Sequence, residues 1–217
     1  MNPLKIEIEH RILKAVDIFS SEDSTRFTLC GVLLEITSKE TAIVTATDGR
    51  RLIKIRAKVA TEGYEKPTRV IIPSALINAR IPSIKKGNPE MPQSKAYLTI
   101  ENGYVSISDF KGETTIKMLA IDGKYPNTAQ VIPRNLKPAV RPAIAFGLYG
   151  DLAKVASHLG LNIIGATFYQ QDESLPYFFV ADWQPYEVVV IAMPIRAIED
   201  NNPVVPIWSY QEFEEAA

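Results

Sequence analysis

The feature that most narrows the fold is a repeat. A strand, a helix and about three further strands recur three times, at roughly 55 residues per unit, long enough for a supersecondary repeat. In the first pass, residues 4–10 (LKIEIEH) alternate as a strand. Residues 11–20 then set Ile12, Leu13, Val16 and Phe19 on one helical face. Strands follow at 31–36, 41–47 and 50–57. The second pass opens with a strand at 68–73 and a helix over 74–81 that Pro82 limits to about two turns. Its strands are 96–100, 104–108 and 114–119. The third opens at 142–147 and has a helix over 150–160, with Leu152, Val155, Ala156 and Leu159 at i, i+3, i+4, i+7. Strands at 163–169, 177–182 and 186–193 close it.

Two stretches interrupt the pattern. Residues 131–142 (VIPRNLKPAVRP) hold Pro133, Pro138 and Pro142, a density that resists helix and central strand and predicts an extended connector and domain boundary. Residues 85–95 (KKGNPEMPQSK) predict a turn-rich loop, and the chain beyond Arg196 is an acidic tail around one aromatic stretch.

Residues 44–55 (VTATDGRRLIKI) stand apart. Asp48-Gly49 predicts a two-residue hairpin turn, and two adjacent arginines follow it. Local chemistry alone is satisfied by a solvated hairpin.

Charge argues against a protein that grips phosphate over its whole surface, because 24 Lys and Arg meet 25 Asp and Glu. The lone Cys30 cannot form an internal disulfide, no secretory leader precedes residue 1, and no stretch approaches a membrane span; a reducing cytoplasm is expected. Catalytic and metal motifs are missing: the two histidines, His10 and His158, lie on different helices without Cys or acidic residues at ligand spacing. No phosphate loop, dinucleotide fingerprint or nucleophile elbow occurs. The expectation is a non-enzymatic protein without metal or cofactor.

Four stretches, in order, carry a resemblance. Residues 46–52 (ATDGRRL) resemble the A-T-D-G-H-R-L signature in the middle domain of the bacterial β sliding clamp, the β subunit of DNA polymerase III. Residues 23–36 (DSTRFTLCGVLLEI) resemble that domain's segment ending N-G-V-L-L-E, and 121–133 (IDGKYPNTAQVIP) its closing D-G-R-F-P-D-Y-x-x-V-I-P. Residues 188–196 (VVVIAMPIR) resemble the family's C-terminal V-x-M-P-M-R. The resemblance implies an α+β DNA-clamp (processivity) fold, with antiparallel sheets and helices on one face. It implies one clamp domain over 1–133, a connector over 134–141, half a clamp domain over 142–196 and a tail over 197–217. The first domain and the first half of the third have no counterpart. Arg50 replaces the usual histidine, Thr128 a tyrosine, and Gln130 an often basic residue.

The same resemblance implies a peptide pocket for polymerase and other replication proteins. Leu29, Thr47, Gly49, Arg50, Arg51 and Leu52 would form one wall, Pro126 and Val131 the floor, and Met193, Pro194, Ile195 and Arg196 the C-terminal wall. It also implies weak, sequence-independent contact of the helices with duplex DNA, through Arg11, Lys14, Arg80, Lys85, Lys86 and Lys154. Clamp rings hold about twelve such units, so three per chain would need a homo-oligomer of four, or another geometry. The main expectation is a sliding clamp-like processivity factor. The alternative is an adaptor or decoy that binds clamp-partner peptides without encircling DNA.

Overall fold

The computed structural model describes residues 3–81, 84, 91–132, 137–138, 144–163, 165–172 and 175–195. The first unit runs β1 (Leu4–Glu9), α1 (His10–Asp17), β2 (Gly31–Ile36), β3 (Thr41–Thr47) and β4 (Arg51–Lys58). A short β5 (Ala60–Glu62), not expected from the sequence, follows. The second unit is β6 (Thr68–Pro73), α2 (Ser74–Asn78), β7 (Lys95–Glu101), β8 (Tyr104–Ser108) and β9 (Thr115–Leu119). The third holds β10 (Lys137–Pro138), α3 (Phe146–Leu159), β11 (Thr167–Gln170), β12 (Tyr177–Val180) and β13 (Glu187–Ala192).

Every strand pairing is antiparallel, and the units interlock. One sheet has the order β5-β1-β7-β8-β9, so β1 of the first unit joins the strands of the second. The other has eight strands, β10-β11-β12-β13-β4-β3-β2-β6, so β6 returns to the first unit and β13 attaches the third. The β13–β4 seam pairs Glu187 with Arg56 through Ala192 with Arg51. This is the antiparallel α+β architecture that the resemblance implies.

Alternation explains which faces pack. In β4, Ile53, Ile55 and Ala57 are buried with Val44 and Ala46 of β3 in the main core, against Ile12, Leu13 and Val16 of α1. Leu76 and Ile77 of α2 and Val155 and Leu159 of α3 enter the same core. Asp17 ties α1 to α2, accepting from Ser74 Oγ and Asn78 Nδ2, each at 2.5 Å.

Three local expectations differ. The second helix ends at Asn78 rather than 81, because Ala79 is already extended, with φ −58° and ψ 139°. The third helix begins four residues before Gly150, at Phe146, and Ile144 and Ala145 are not strand; residues 142–143 lie outside the described residues. The proline-rich connector contributes a two-residue edge strand, Lys137–Pro138, on β11, a placement proline tolerates because an edge leaves one side of its backbone unpaired. The 85–90 part of the expected loop and the acidic tail also lie outside the described residues.

Candidate functional site

The turn between β3 and β4 is longer than the two residues that Asp-Gly suggested. Thr47 pairs with Leu52, leaving Asp48–Arg51 to close the hairpin. Side chains build it. The Asp48 carboxylate accepts from the N–H groups of Arg50 and Arg51, both at 2.9 Å. The Thr47 hydroxyl accepts from Gly49 N–H at 3.0 Å and donates to the Arg51 carbonyl at 2.6 Å. Such Asx-type bonding competes with the tighter turn. Gly49 sits at φ +87°, and Arg26 Nη1, which donates to the Asp48 carbonyl at 2.8 Å, lies 2.7 Å from where a Cβ would stand.

The two arginines part company here. Arg51 follows the inner face of β4. Its guanidinium donates to Asp48 Oδ2 at 2.9 Å, to Asp151 of α3, and to the Ile18 carbonyl at 3.3 Å, and it stacks 4.8 Å from the Phe19 ring centroid. Burial pulls its pKa down, but the bonds to Asp151 and Asp48 outweigh that and raise it. Burial likewise works to raise the Asp151 carboxyl, and the hydrogen bonds and charges of Arg51 and Lys154 hold it below its ordinary value. Arg51 therefore bolts the turn to α1 and α3. Arg50 is exposed, and its carbonyl accepts from the Met193 N–H at 2.8 Å.

That bond brings two stretches far apart in the sequence to one place. On the outer face of the eight-stranded sheet, Leu52 lies opposite Thr47 and Ile191, and all three are buried. Met193 continues the Ile191 alternation and is exposed, as are Ile195 and Val131. Leu29 packs in a small outer-face cluster with Leu33, Ile71 and Tyr125. Burial raises the Tyr125 phenol, which lies beside the Thr47 backbone. From the same strip, Thr128 Oγ1 accepts from Lys54 Nζ at 3.2 Å, and Thr128–Val131 forms a 3-10 turn above β4. Pro126 is exposed and Pro194 half-buried. An open cleft of about 930 Å³ flanks this strip towards β6 and β9, lined by residues that include Leu33, Ile71, Leu119 and Tyr125.

Of the pocket residues expected from the sequence, Leu29, Thr47, Gly49, Arg50, Leu52, Pro126, Val131, Met193, Pro194 and Ile195 thus lie on the outer face or its rim. Arg51 turns to the inner face, and Arg196 lies outside the described residues. Tyr125 and Lys54 were missed. For Lys54 the signal was present, since it follows Leu52 by two in a strand whose apolar residues are Ile53, Ile55 and Ala57.

The expected DNA-facing residues are less uniform. Arg11 is committed to the fold: it pairs with Glu9 at 2.7 Å and lies 5.5 Å from the Tyr186 ring centroid, while the Tyr186 hydroxyl donates to Glu9 at 3.1 Å. Lys14 donates to Asn78 Oδ1 at 2.7 Å, and Lys154 pairs with Asp151 at 3.0 Å from an exposed position on α3. Arg80 is exposed; Lys85 and Lys86 lie outside the described residues. Among the described residues no group of His, Cys, Asp and Glu could hold a metal ion, and no helix is long and apolar enough to cross a membrane.

The family model of the DNA polymerase III beta subunit, central domain, matches residues 4–127. Solved sliding clamps share the fold at low identity. The clamp of Helicobacter pylori, bound to a DNA ligase peptide, is 13% identical at a TM-score of 0.67 over 90% of this chain and 66% of its own. That of Bacillus subtilis is 18% identical at 0.65, over 89% and 64%. That of Pseudomonas aeruginosa, with a ligand, is 15% identical at 0.64, over 89% and 66%. The chain spans slightly less than two thirds of each of these three structures. No curated protein matches it in sequence.

Proposed function

We propose that this chain, which belongs to the DNA polymerase III beta-subunit family through that protein's central domain, acts without catalysis as a sliding clamp-like processivity factor in the cytoplasm. Residues 1–133 are read as one clamp domain, 134–141 as its connector, 142–196 as a half domain and 197–217 as a tail. In this reading the outer-face groove holds short peptides of polymerase or other replication proteins, and helix lysines touch duplex DNA. The Met193–Arg50 hydrogen bond carries the proposal, because it joins the two resembling segments at one place, where exposed Met193 and Arg50 stand beside Leu52 and Ile191. The peptide bound to the Helicobacter pylori clamp supports the same use.

Peptide binding tests it directly. A fluorescent peptide with leucine and phenylalanine anchors is expected to bind in the micromolar range, about −8 kcal/mol. Met193→Asp places an unpaired charge beside Leu52 and Ile191 and is expected to abolish binding while the thermal melt stays within a few degrees, since Met193 is exposed. Equal binding by wild type and variant would sink the groove. The DNA arm is retention on nicked circular plasmid at low salt, with particle mass measured in parallel. Lys14→Glu with Lys154→Glu should remove retention, and retention unchanged by that double reversal would rule out this helix surface.

A further inference from the structure

Resting on the groove reading, we propose that Lys54 makes the groove selective for peptides carrying an acidic side chain two residues from their aliphatic anchor. The outer face of the β4–β13 seam forms a ladder. Arg56 stands opposite Glu187 and pairs with it at 2.7 Å, so this seam neutralises a cation with a carboxylate directly across. One rung along the same face, Lys54 stands opposite Val189 on β13 and Thr45 on β3. Neither can neutralise it.

Lys54 is half-buried, and the partner of its ammonium, Thr128 Oγ1, is an uncharged hydroxyl. Among the described residues no carboxylate forms an ion pair with Lys54, whereas Arg51, Arg56 and Arg69 of this sheet all have one. The cation beside Val189 thus lacks the opposing carboxylate that its neighbour Arg56 has. The next rung is apolar: Leu52 opposite Ile191, with exposed Met193 beyond. Cation and apolar floor thus lie two residues apart on one strand, about 7 Å, which is also the spacing of side chains i and i+2 in an extended peptide. A peptide laid along the seam can set an aliphatic side chain on Leu52 and a carboxylate on Lys54 at once.

The test uses the full chain and three fluorescent, C-terminally amidated peptides with the same leucine and phenylalanine anchors. They carry glutamate two residues before the leucine, glutamate two residues after it, or glutamine at both places. In anisotropy titrations at low salt, one glutamate peptide is expected to bind about tenfold tighter than the glutamine peptide, the scale of one charge-assisted contact. Lys54→Met should remove that preference, so that the glutamate and glutamine peptides bind the variant within about twofold of one another. Val189→Glu, which supplies the missing rung, should remove it too. Binding of all three peptides within twofold, or a preference that survives both variants, overturns the selectivity while leaving the groove standing. Failure of every peptide to bind overturns both.

Discussion

Replacing Arg51 by methionine keeps most of the side chain's length and deletes its charge, which isolates what the guanidinium holds together. It joins Asp48, Asp151, the Ile18 carbonyl and the Phe19 ring, and its side chain is 22% exposed against 24% for Asp48 and 18% for Asp151. Breaking a fully buried pair costs about 3–5 kcal/mol, and a hydrogen bond to a charged group contributes about 1.5–3 kcal/mol. With roughly a fifth of each group in water, the lower end applies, and Arg51→Met is expected to lose about 3 kcal/mol in urea unfolding at pH 7. A double-mutant cycle with Asp151→Asn should return a coupling of about 1.5 kcal/mol. The pH dependence has a fixed sign. The folded Asp151 carboxyl lies below its ordinary value, so its contribution is complete above the unfolded pKa of about 3.9 and is lost as pH falls through the lower folded value. The coupling should therefore be flat from about pH 5 to about pH 8, above both values. A loss under about 1 kcal/mol, or a coupling within error of zero, would refute the view that this arginine bolts the turn to the helices.

Two further outcomes are expected. Burial, helped by the Lys14 charge, lowers His10 to about 4; the unfolded chain then takes up a proton the folded chain refuses, so stability should fall by about 2–3 kcal/mol as pH drops from roughly 6.5 towards 4, and His10→Gln should flatten that slope in acid-titration melts. Gly31→Ala would set a Cβ 2.4 Å from the Ile72 carbonyl oxygen and 2.9 Å from Ile121 Cδ1, forcing β2 and β6 apart, with a loss of about 2 kcal/mol expected in thermal melts. A melt unchanged by the added methyl would mean that β6 can shift freely.

The strands and helices were legible because burial imposes a period. Ile53, Ile55 and Ala57 alternate with Leu52, Lys54 and Arg56, and Ile12, Leu13 and Val16 mark a helical face, so each element longer than the three-residue β5 and the two-residue β10 announced itself. Its pairing partner did not. Nothing in β13 itself names β4, and the seam follows from how three units stack. The resemblance of residues 46–52 and 188–196 to one family's pocket supplied the long-range information that periodicity lacks. The turn was misjudged because Asp-Gly is read as a two-residue signal. Thr47 and Asp48 instead spend their oxygens on the backbone of Gly49, Arg50 and Arg51, a choice set by hydrogen bonds that no alternation records. Arg50 and Arg51 look equivalent in sequence, yet Arg51 opens β4 and turns to its inner face while Arg50 stays in the turn, exposed.

The β4–β13 ladder unites segments far apart in the chain, and the proposed groove straddles it. Anything that grips both banks acts as a clasp on that joint: the strands cannot part without releasing it. By mass action, a ligand at one hundred times its dissociation constant adds about 2.7 kcal/mol to the free energy of opening, concentrated on whichever local unfolding event separates these strands. Slow amide exchange along Val188–Ile191 would then serve as an occupancy gauge, quickening whenever the clasp is empty and registering a visitor without any label on it.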